Sequence, residues 1–512
     1  MITLRGSSTS KIDQLDPRFI ALVDASARLA TKDAGLWGPN AEVEAATRLN
    51  WIDLPNSSRA LLPELDALAA KFRNHHHVVL CGMGGSSLAP EVIAAAFEKQ
   101  LFVLDSTDPN YLSHALAHDL STTVVVVSSK SGSTIETASQ RALFEARFTG
   151  AGLNPIDHMV IVTDPDSPLD QDARQRGFTV INADPLLGGR FSALSAFGLV
   201  PAALIGVDVS VLLDGALEAM KSFQGTQSPA VAAAYLLAHH CGQYLAFSDS
   251  DSGMPGVSDW IEQLIAESTG KDQQGRLPIV LESALSPVGG EALRIAFAGS
   301  SDLVVQGDLG AQFIFWEWVT ALIGYALNLN AFNQPNVTEA KNQTSALLKE
   351  WSGKLPVLIP HQKDGAIEIF ADSDSTQDAL TLVIDSVKVD GYIAVMAYLD
   401  RKGDGELGQL RRVLADKSGR PVTFGWGPRF LHSTGQFHKG GPRNGVFLQI
   451  TADVNEDLPI PGQDFTFHTL IMAQALGDAQ ALTSRNLTVI RLHVKDRSAG
   501  VAEILSAARS II

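Results

Sequence analysis

Between about residue 73 and residue 200 the chain alternates short apolar runs with longer amphipathic stretches, and this alternation limits the possible folds more than any other feature. One run reads VVVV and is apolar at successive positions, so both faces of that strand must be covered. Strands of this kind belong to a parallel sheet with helices packed on both sides. The pattern therefore predicts a doubly wound α/β unit in this region.

Strand-like runs return in the second half of the chain, from LPIVLES near residue 277 to LTVIRLHV near residue 487. The predicted fold class is α/β, with two doubly wound parallel-sheet domains of three layers (α/β/α) and additional helical segments. The predicted segments are an N-terminal helical arm at 1–60, a first α/β domain at 61–205, a helical connection at 206–270 and a second α/β domain at 271–512.

Composition excludes several classes of protein. The formal net charge of −17 over 512 residues argues against a general nucleic-acid binder, which needs basic surface to displace phosphate counterions. Two cysteines suggest no disulfide framework and fit a reducing compartment. The N-terminal residues lack the apolar core of a secretory signal, and no apolar run approaches the roughly 20 residues of a membrane span. We therefore expect a cytoplasmic protein without nucleic-acid or membrane partners.

A glycine-serine loop follows the first strand of the α/β unit and reads GMGGSS at residues 82–87. Glycines permit close backbone approach, and the free N–H groups at the start of the next helix attract an anion. A dinucleotide is one alternative ligand, because Asp105 ends the next strand where a ribose-binding acid would lie. Ser87, however, occupies the position of the third glycine in the dinucleotide fingerprint. A tight turn without a ligand is the other alternative.

A second polar loop, SSKSGST at residues 128–134, again follows an apolar strand and opens a helix. Hydroxyl groups, a lysine and a helix N-terminus together suit a phosphate monoester. Two such loops at one edge of one sheet favour a compact sugar phosphate over an extended dinucleotide. Serines and threonines that only cap helices are the alternative interpretation.

The segments GMGGSSLAPEV and SSKSGSTIET resemble the two phosphate-side loops of the sugar isomerase (SIS) domain, and of the phosphoglucose isomerase family in particular. The resemblance implies SIS-type domains. Gly132 departs from the aromatic residue usual in the larger isomerases and matches the general SIS pattern. The implied phosphate-side residues are Gly84, Gly85, Ser86, Ser129, Lys130, Ser131 and Thr134.

The segment GGRFSALSAFG at residues 188–198 resembles the glycine-arginine motif of the same family. The resemblance implies that Arg190 stabilises a developing enediolate by its fixed positive charge. From the local sequence alone, an arginine in a surface salt bridge is an equal alternative.

The segment WIEQLIAESTGK at residues 260–271 reads as a helix that stops near Gly270. Gln263 and Glu267 are four positions apart and share one helix face. The segment resembles the family pattern Gln-x-x-x-Glu-Ser-x-Gly-Lys. The resemblance implies that Glu267 is the base that moves a proton between C1 and C2 of a sugar, with Gln263 as a polar partner. A solvated glutamate in the last turn is the alternative.

The segment FNQPNVTEAK at residues 332–341 resembles the family pattern Gln-x-x-Val-x-x-x-Lys. The resemblance implies that Gln334 binds a sugar hydroxyl and that Lys341 assists ring opening or holds the sugar. A solvated lysine at a helix start is the alternative.

The histidine that opens the ring in this family is absent between the glutamate and lysine motifs, and HSTGQFHKGGP follows them instead, at residues 432–442. This order resembles the isomerase half of bacterial transaldolase–phosphoglucose isomerase fusion proteins. Too few residues precede the isomerase region for the (β/α)₈ barrel of a transaldolase half. We expect His438, or His432 as second choice, to protonate the ring oxygen; a structural histidine is the alternative.

Taken together, the resemblance implies an aldose–ketose isomerase that interconverts glucose 6-phosphate and fructose 6-phosphate through an enediol, without metal or cofactor. A homodimer is compatible with the sequence. One alternative is another SIS-domain isomerase, including one for mannose 6-phosphate. The other is a non-catalytic sugar-phosphate sensor, which would keep the loops without needing Glu267.

Overall fold

The computed structural model describes residues 1–511. The strands are β1 (Thr3–Arg5), β2 (His77–Gly82), β3 (Phe102–Leu104), β4 (Thr123–Ser128), β5 (Met159–Thr163), β6 (Thr179–Asn182), β7 (Tyr244–Ser248), β8 (Leu277–Val280), β9 (Leu293–Ala296), β10 (Leu303–Gln306), β11 (Gln362–Asp364), β12 (Ile367–Phe370), β13 (Tyr392–Tyr398), β14 (Val422–Trp426), β15 (Gly445–Ala452) and β16 (Thr488–Val494). The helices are α1 (Pro17–Ala30), α2 (Pro39–Ala46), α3 (Leu54–Ser57), α4 (Leu62–Lys71), α5 (Leu88–Ala96), α6 (Pro109–Leu116), α7 (Ile135–Gly150), α8 (Pro168–Gln175), α9 (Ala196–Leu204), α10 (Ser210–Met220), α11 (Pro229–His239), α12 (Val257–Thr269), α13 (Leu309–Ala326), α14 (Val337–Glu350), α15 (Thr376–Ser386), α16 (Gln409–Ser418), α17 (Gly435–Gly440), α18 (Phe467–Thr483) and α19 (Arg497–Ser510).

The first sheet has the order β3-β2-β4-β5-β6, and all its strands are parallel. Every residue of β4 is buried, as expected for a strand covered by helices on both faces. The strand order reverses between β2 and β4, because the chain first moves outward to β3 and then crosses back. The crevice at such a reversal is where open α/β sheets bind ligands, and both polar loops begin there.

A second sheet has the order β1-β10-β9-β7-β8, with β1 antiparallel to β10 and the others parallel. The third sheet has the order β11-β12-β16-β15-β13-β14, and its four strands β13 to β16 are parallel. The predicted α/β class with parallel sheets is confirmed. The sequence did not separate the second sheet from the third, because strand-like runs alone do not tell which strands pair. The predicted domain boundaries stay a prediction.

Helices α12 and α13 lie at the centre of the molecule. Twelve of the thirteen residues of α12 are buried, and α13 is buried around almost its whole circumference. A helix that is apolar on all sides is stable only inside a large protein, where other elements cover every face. This packing fixes α12, which carries Gln263 and Glu267. None of the helices within residues 1–511 has the length and apolar character needed to cross a membrane.

Candidate active site

The glycine-serine loop packs closely against three other segments of the site. Gly84 has a left-handed φ of +55°, and a Cβ there would lie 2.8 Å from Gln263 Nε2 and 2.9 Å from the His432 carbonyl oxygen. A Cβ on Gly85 would lie 1.9 Å from the Gly189 carbonyl oxygen. Only glycine permits these approaches, so the loop touches α12, the histidine segment and the arginine segment together.

The second polar loop presents its hydroxyl groups at the start of α7. The Ser131 and Ser133 hydroxyls lie 2.7 Å apart, and Ser129 Oγ accepts a hydrogen bond of 3.1 Å from the Gly132 amide. The Lys130 side chain points away from the loop hydroxyl groups. It pairs with Asp164 and donates a hydrogen bond of 3.0 Å to the Pro185 carbonyl. Lys130 therefore stabilises the loop, while Ser131 remains exposed.

Helix α12 carries Glu267, the predicted catalytic base. It begins after Gly256, whose φ is +83°, and ends at Thr269, directly before Gly270. Glu267 is 8% exposed, and Gln263 Nε2 donates to its Oε2 at 3.1 Å. The same Nε2 also donates to the His432 carbonyl at 2.8 Å. Gln263 thus joins the carboxylate to the histidine segment.

Arg190 is buried, and its hydrogen bonds hold the guanidinium beside Glu267. Its Nε donates to Ser268 Oγ at 2.7 Å and its Nη1 to Gln334 Oε1 at 3.0 Å. The same Nη1 lies 3.6 Å from Glu267 Oε1. Burial lowers the pKa of the guanidinium, and the Glu267 carboxylate opposes that shift. The arrangement puts fixed positive charge beside the carboxylate in a site with little solvent.

A second buried cation, Lys271, lies near this pair and was not among the predicted site residues. Its ammonium donates to the Asn330 carbonyl, one residue before the Ala331 carbonyl that accepts from Arg190 Nη2 at 2.6 Å. Burial and then the charge of Arg190 hold the pKa of Lys271 well below its usual value. The two cations together fix the segment that carries Gln334.

His432 lies at the other end of the site. Its Nε2 is 3.0 Å from Glu136 Oε1, and Gln474 Nε2 donates to the same oxygen at 2.8 Å. Burial opposes ionisation of Glu136, but the imidazole of His432 holds the pKa of that carboxyl below its usual value. An ionised carboxylate only accepts hydrogen bonds, so His432 Nε2 carries the proton of this contact. Nδ1 is then the ring nitrogen that can contact a substrate.

His438, the predicted ring-opening acid, has a different environment. It is buried in α17, its Nδ1 lies 2.9 Å from the Tyr392 hydroxyl, and its ring stacks on Tyr392 and meets Phe447 edge-on. Burial, followed by the charge of Lys439, lowers its pKa to about 3. This imidazole is therefore neutral near pH 7 and enclosed by aromatic rings. Its catalytic role stays a prediction.

Lys341 lies on α14 and is exposed. It lines a cavity of about 120 Å³ together with Thr134 and His432. The structure therefore brings together residues from both polar loops, α12, the arginine segment and the histidine segment.

Glu136, Gln474 and Lys271 belong to this set, but sequence reasoning missed them. An acidic residue in the first turn of a helix is ordinary, so Glu136 gave no signal. Within residues 1–511 no cluster of three or more His, Cys, Asp or Glu side chains is placed to hold a metal.

Fold and site together define an α/β protein whose doubly wound sheet carries two polar loops near a buried Glu–Arg pair and a half-buried histidine. Residues 66–271 match the family model of phosphoglucose isomerase. The matched range contains both polar loops, Arg190 and Glu267. Gln334, Lys341, His432 and His438 lie outside it.

Individual relatives agree with the family match. A probable glucose-6-phosphate isomerase of Haloquadratum walsbyi is 34% identical over 224 residues, which cover 42% of this chain and 52% of the relative. The glucose-6-phosphate isomerase of Thermus thermophilus is 33% identical over 263 residues, 48% of this chain and 61% of the relative. The chain thus spans about half the length of these relatives. A solved structure of a glucose-6-phosphate isomerase from Chlamydia trachomatis shares the fold, with a TM-score of 0.55 at 20% identity over 69% of this chain and 89% of that chain.

Proposed function

We propose that the protein is an aldose–ketose isomerase that interconverts glucose 6-phosphate and fructose 6-phosphate in the cytoplasm. One observation carries the proposal: Arg190 Nη1 lies 3.6 Å from Glu267 Oε1, and Gln263 links that carboxylate to the His432 segment. A base and a fixed cation thus lie side by side, and Gln263 joins them to the segment that carries the histidine. Aldose–ketose isomerisation by proton transfer requires these groups and no redox cofactor.

In the proposed mechanism the polar loops hold the phosphate and His432 opens the ring. Hydroxyl groups of Ser86, Ser129, Ser131 and Thr134 would bind the phosphate oxygens beside the start of α7. Protonated His432 would give its Nδ1 proton to the ring oxygen. Glu136 would hold the imidazole in place and stabilise its charge.

The isomerisation itself would take place at Glu267. The carboxylate removes the proton from C2 of the open-chain aldose and returns it to C1. The resulting enediolate carries negative charge on oxygen, which Arg190 stabilises at short range in a buried site. Gln334, which accepts a hydrogen bond from Arg190, would bind a sugar hydroxyl at the same end.

We expect Glu267→Gln to lower kcat for glucose 6-phosphate roughly 10³-fold, because the amide cannot accept the substrate proton. The matched control is Glu262→Gln on the same helix. Burial and then the charge of Asp259 raise the pKa of Glu262 well above its usual value, which favours the neutral carboxyl that the amide resembles in shape. This control should stay within a fewfold of the parent protein.

The substrate assay also decides between the alternatives. Turnover of mannose 6-phosphate without glucose 6-phosphate would identify another SIS-domain isomerase. Binding of either sugar phosphate without turnover by the parent protein would identify a sensor. Either result would contradict the proposed reaction.

A further inference from the structure

The cavity beside His432 has a wall that the proposed mechanism does not use. It holds about 120 Å³ and is bordered by hydroxyl groups of the second polar loop and of α14, including Ser133, Thr134 and Thr344. Three basic side chains also line it: Lys341, His432 and Lys439. Lys439 lies at the end of α17, and neither the sequence motifs nor the family match give it a role.

Lys439 is a buried charge with a single carboxylate partner. Its side chain is 2% exposed, and its Nζ lies 2.5 Å from Oδ1 of Asp478, which is fully buried in α18. A second contact runs from Nζ to the Gly435 carbonyl oxygen at 3.3 Å. An ammonium group has three N–H donors, and no third acceptor within residues 1–511 reaches this one. The remaining donor is available to the cavity that Lys439 lines.

The donor groups of the cavity wall suit an anion. Glu136 is the acidic residue of the wall, and His432 and Gln474 already occupy Glu136 Oε1. Lys341 and Lys439 place two ammonium groups on the wall, and Asp478 balances the charge of Lys439 from behind the lining. Hydroxyl donors beside two ammonium groups suit the oxygens of a phosphate ester.

A purely structural role explains these features less well. Burying a lysine–aspartate pair costs several kcal/mol of desolvation per ion, and apolar residues of similar size often replace such pairs without loss of stability. An ion pair that only joined α17 to α18 would not need to border a polar cavity. A cation held rigidly by its partner is, however, a preorganised ligand group.

We propose that Lys439 is a substrate-binding residue, whose third ammonium donor binds a phosphate oxygen of the sugar phosphate while Asp478 holds the side chain in place. The inference rests on the proposed function for the nature of the ligand. It places one phosphate oxygen at the Lys439 end of the cavity that Thr134 and Lys341 also line, while the polar loops bind the other oxygens.

The test measures binding, so that it does not depend on turnover. Lys439→Met with Asp478→Asn removes both charges together and leaves no unpaired buried ion. Titration calorimetry with glucose 6-phosphate and with inorganic phosphate should show at least tenfold weaker binding by this double variant than by the parent protein. Lys349→Met, which removes an exposed charge from α14, is the control and should bind as the parent does. Unchanged affinity in a folded double variant would overturn the proposal.

A crystal structure of the parent protein with glucose 6-phosphate provides a second measurement that needs no variant. A phosphate oxygen within about 3.2 Å of Lys439 Nζ supports the proposal. A phosphate bound elsewhere in the cleft overturns it. Binding of glucose 6-phosphate without turnover would refute the isomerase reaction. The distance from the phosphate oxygen to Lys439 Nζ would then still decide whether Lys439 binds the phosphate.

Discussion

At the scale of single residues, the two candidate histidines differ in what surrounds them. His432 contacts an ionised carboxylate at the edge of a polar cavity, whereas His438 contacts the Tyr392 hydroxyl among aromatic rings. Proton donors in catalysis need both a path to substrate and a pKa near the working pH. His438 is enclosed by aromatic rings and its pKa falls to about 3, so we propose His432, at the edge of the cavity, as the group that opens the ring.

Substitutions of the two histidines test this assignment. We expect His432→Gln to lower kcat about 100-fold, because general acid catalysis of ring opening is lost. His438→Asn keeps an acceptor or donor near Tyr392 and should retain most of the activity. Steady-state assays of both folded variants decide between the two residues. A larger loss of kcat in His438→Asn would reverse the assignment.

The environment of His438 also predicts how stability depends on pH. Its pKa falls from a usual 6.5 to about 3 on folding, so below pH 6.5 the unfolded chain binds a proton that the folded protein excludes. This contribution to stability is present above pH 6.5 and is lost as the pH falls toward 3. The free energy of unfolding of His438→Asn should therefore vary less steeply between pH 6 and pH 4, by up to about 1.4 kcal/mol per pH unit. Equal slopes for parent and variant would contradict the assigned pKa.

At the scale of elements, a four-residue 3-10 turn, Arg429–His432, places the histidine. Arg429 Nη1 donates to Asp105 Oδ2 at 2.9 Å, and its Nη2 lies 2.6 Å from Glu91 Oε2. The turn comes from the segment after β14, whereas Glu91 and Asp105 belong to the α/β unit of the first sheet. One end of the turn is thus held by Arg429 and the other by the contact between His432 and Glu136.

Removing this anchor should affect catalysis as well as stability. Arg429→Met leaves Asp105, which is 1% exposed, without one of its cations and should cost roughly 3 kcal/mol. We also expect kcat to fall at least tenfold, because His432 loses its fixed position.

Arg401→Met is the matched control. Arg401 Nη1 pairs with Glu91 Oε1 at 2.6 Å, but Arg401 lies outside the turn. This variant should lose stability with a smaller loss of kcat. The kcat of each variant is compared per folded molecule. Equal losses of kcat in the two variants would show that the turn does not position His432.

Element boundaries were predicted well where a periodic pattern had a clear stop. The helix predicted to follow the second polar loop runs over Ile135–Gly150, and the helix predicted to stop near Gly270 runs over Val257–Thr269. The apolar run KLPVLIP at residues 354–360, which lies among the strand-like runs of the second half of the chain, is in contrast not a strand. It lies outside all three sheets, with Val357 and Ile359 almost fully exposed. Alternation of apolar residues fits a strand only if a neighbouring strand is available, and that is a tertiary condition.

At the scale of the whole molecule, one chain supplies every residue of the candidate site. The first sheet contributes the polar loops, the central helix α12 contributes Glu267, and the segment after β14 contributes His432. The structure does not need a second copy to complete the contact between Gln263 and His432.

We therefore expect the specific activity to be independent of protein concentration. Dilution from the micromolar to the nanomolar range should leave kcat unchanged, because dissociation of any oligomer would remove no catalytic group. Assays across this range, with the oligomeric state followed by light scattering, test the expectation. A fall in kcat that follows dissociation would show that a partner chain is needed.

Two motifs carried most of what the sequence by itself determined. The buried strands and the glycine-serine and serine-lysine loops after them predicted the sheet and its binding edge, because the spacing within a βα turn is local. The one-turn spacing of Gln263 and Glu267 predicted their contact for the same reason. These features, together with Arg190, fall within the range that matches the family model.

Tertiary structure alone decided the rest. It gave His432 and His438 different surroundings, paired His432 with Glu136 across 296 positions of sequence, and enclosed Lys439 beside the cavity. Contacts over such separations depend on how sheets and helices pack, which no local pattern records. The proposed proton-transfer centre was therefore readable from short motifs, whereas the surroundings of the two histidines depend on the packing of the C-terminal half against the first sheet.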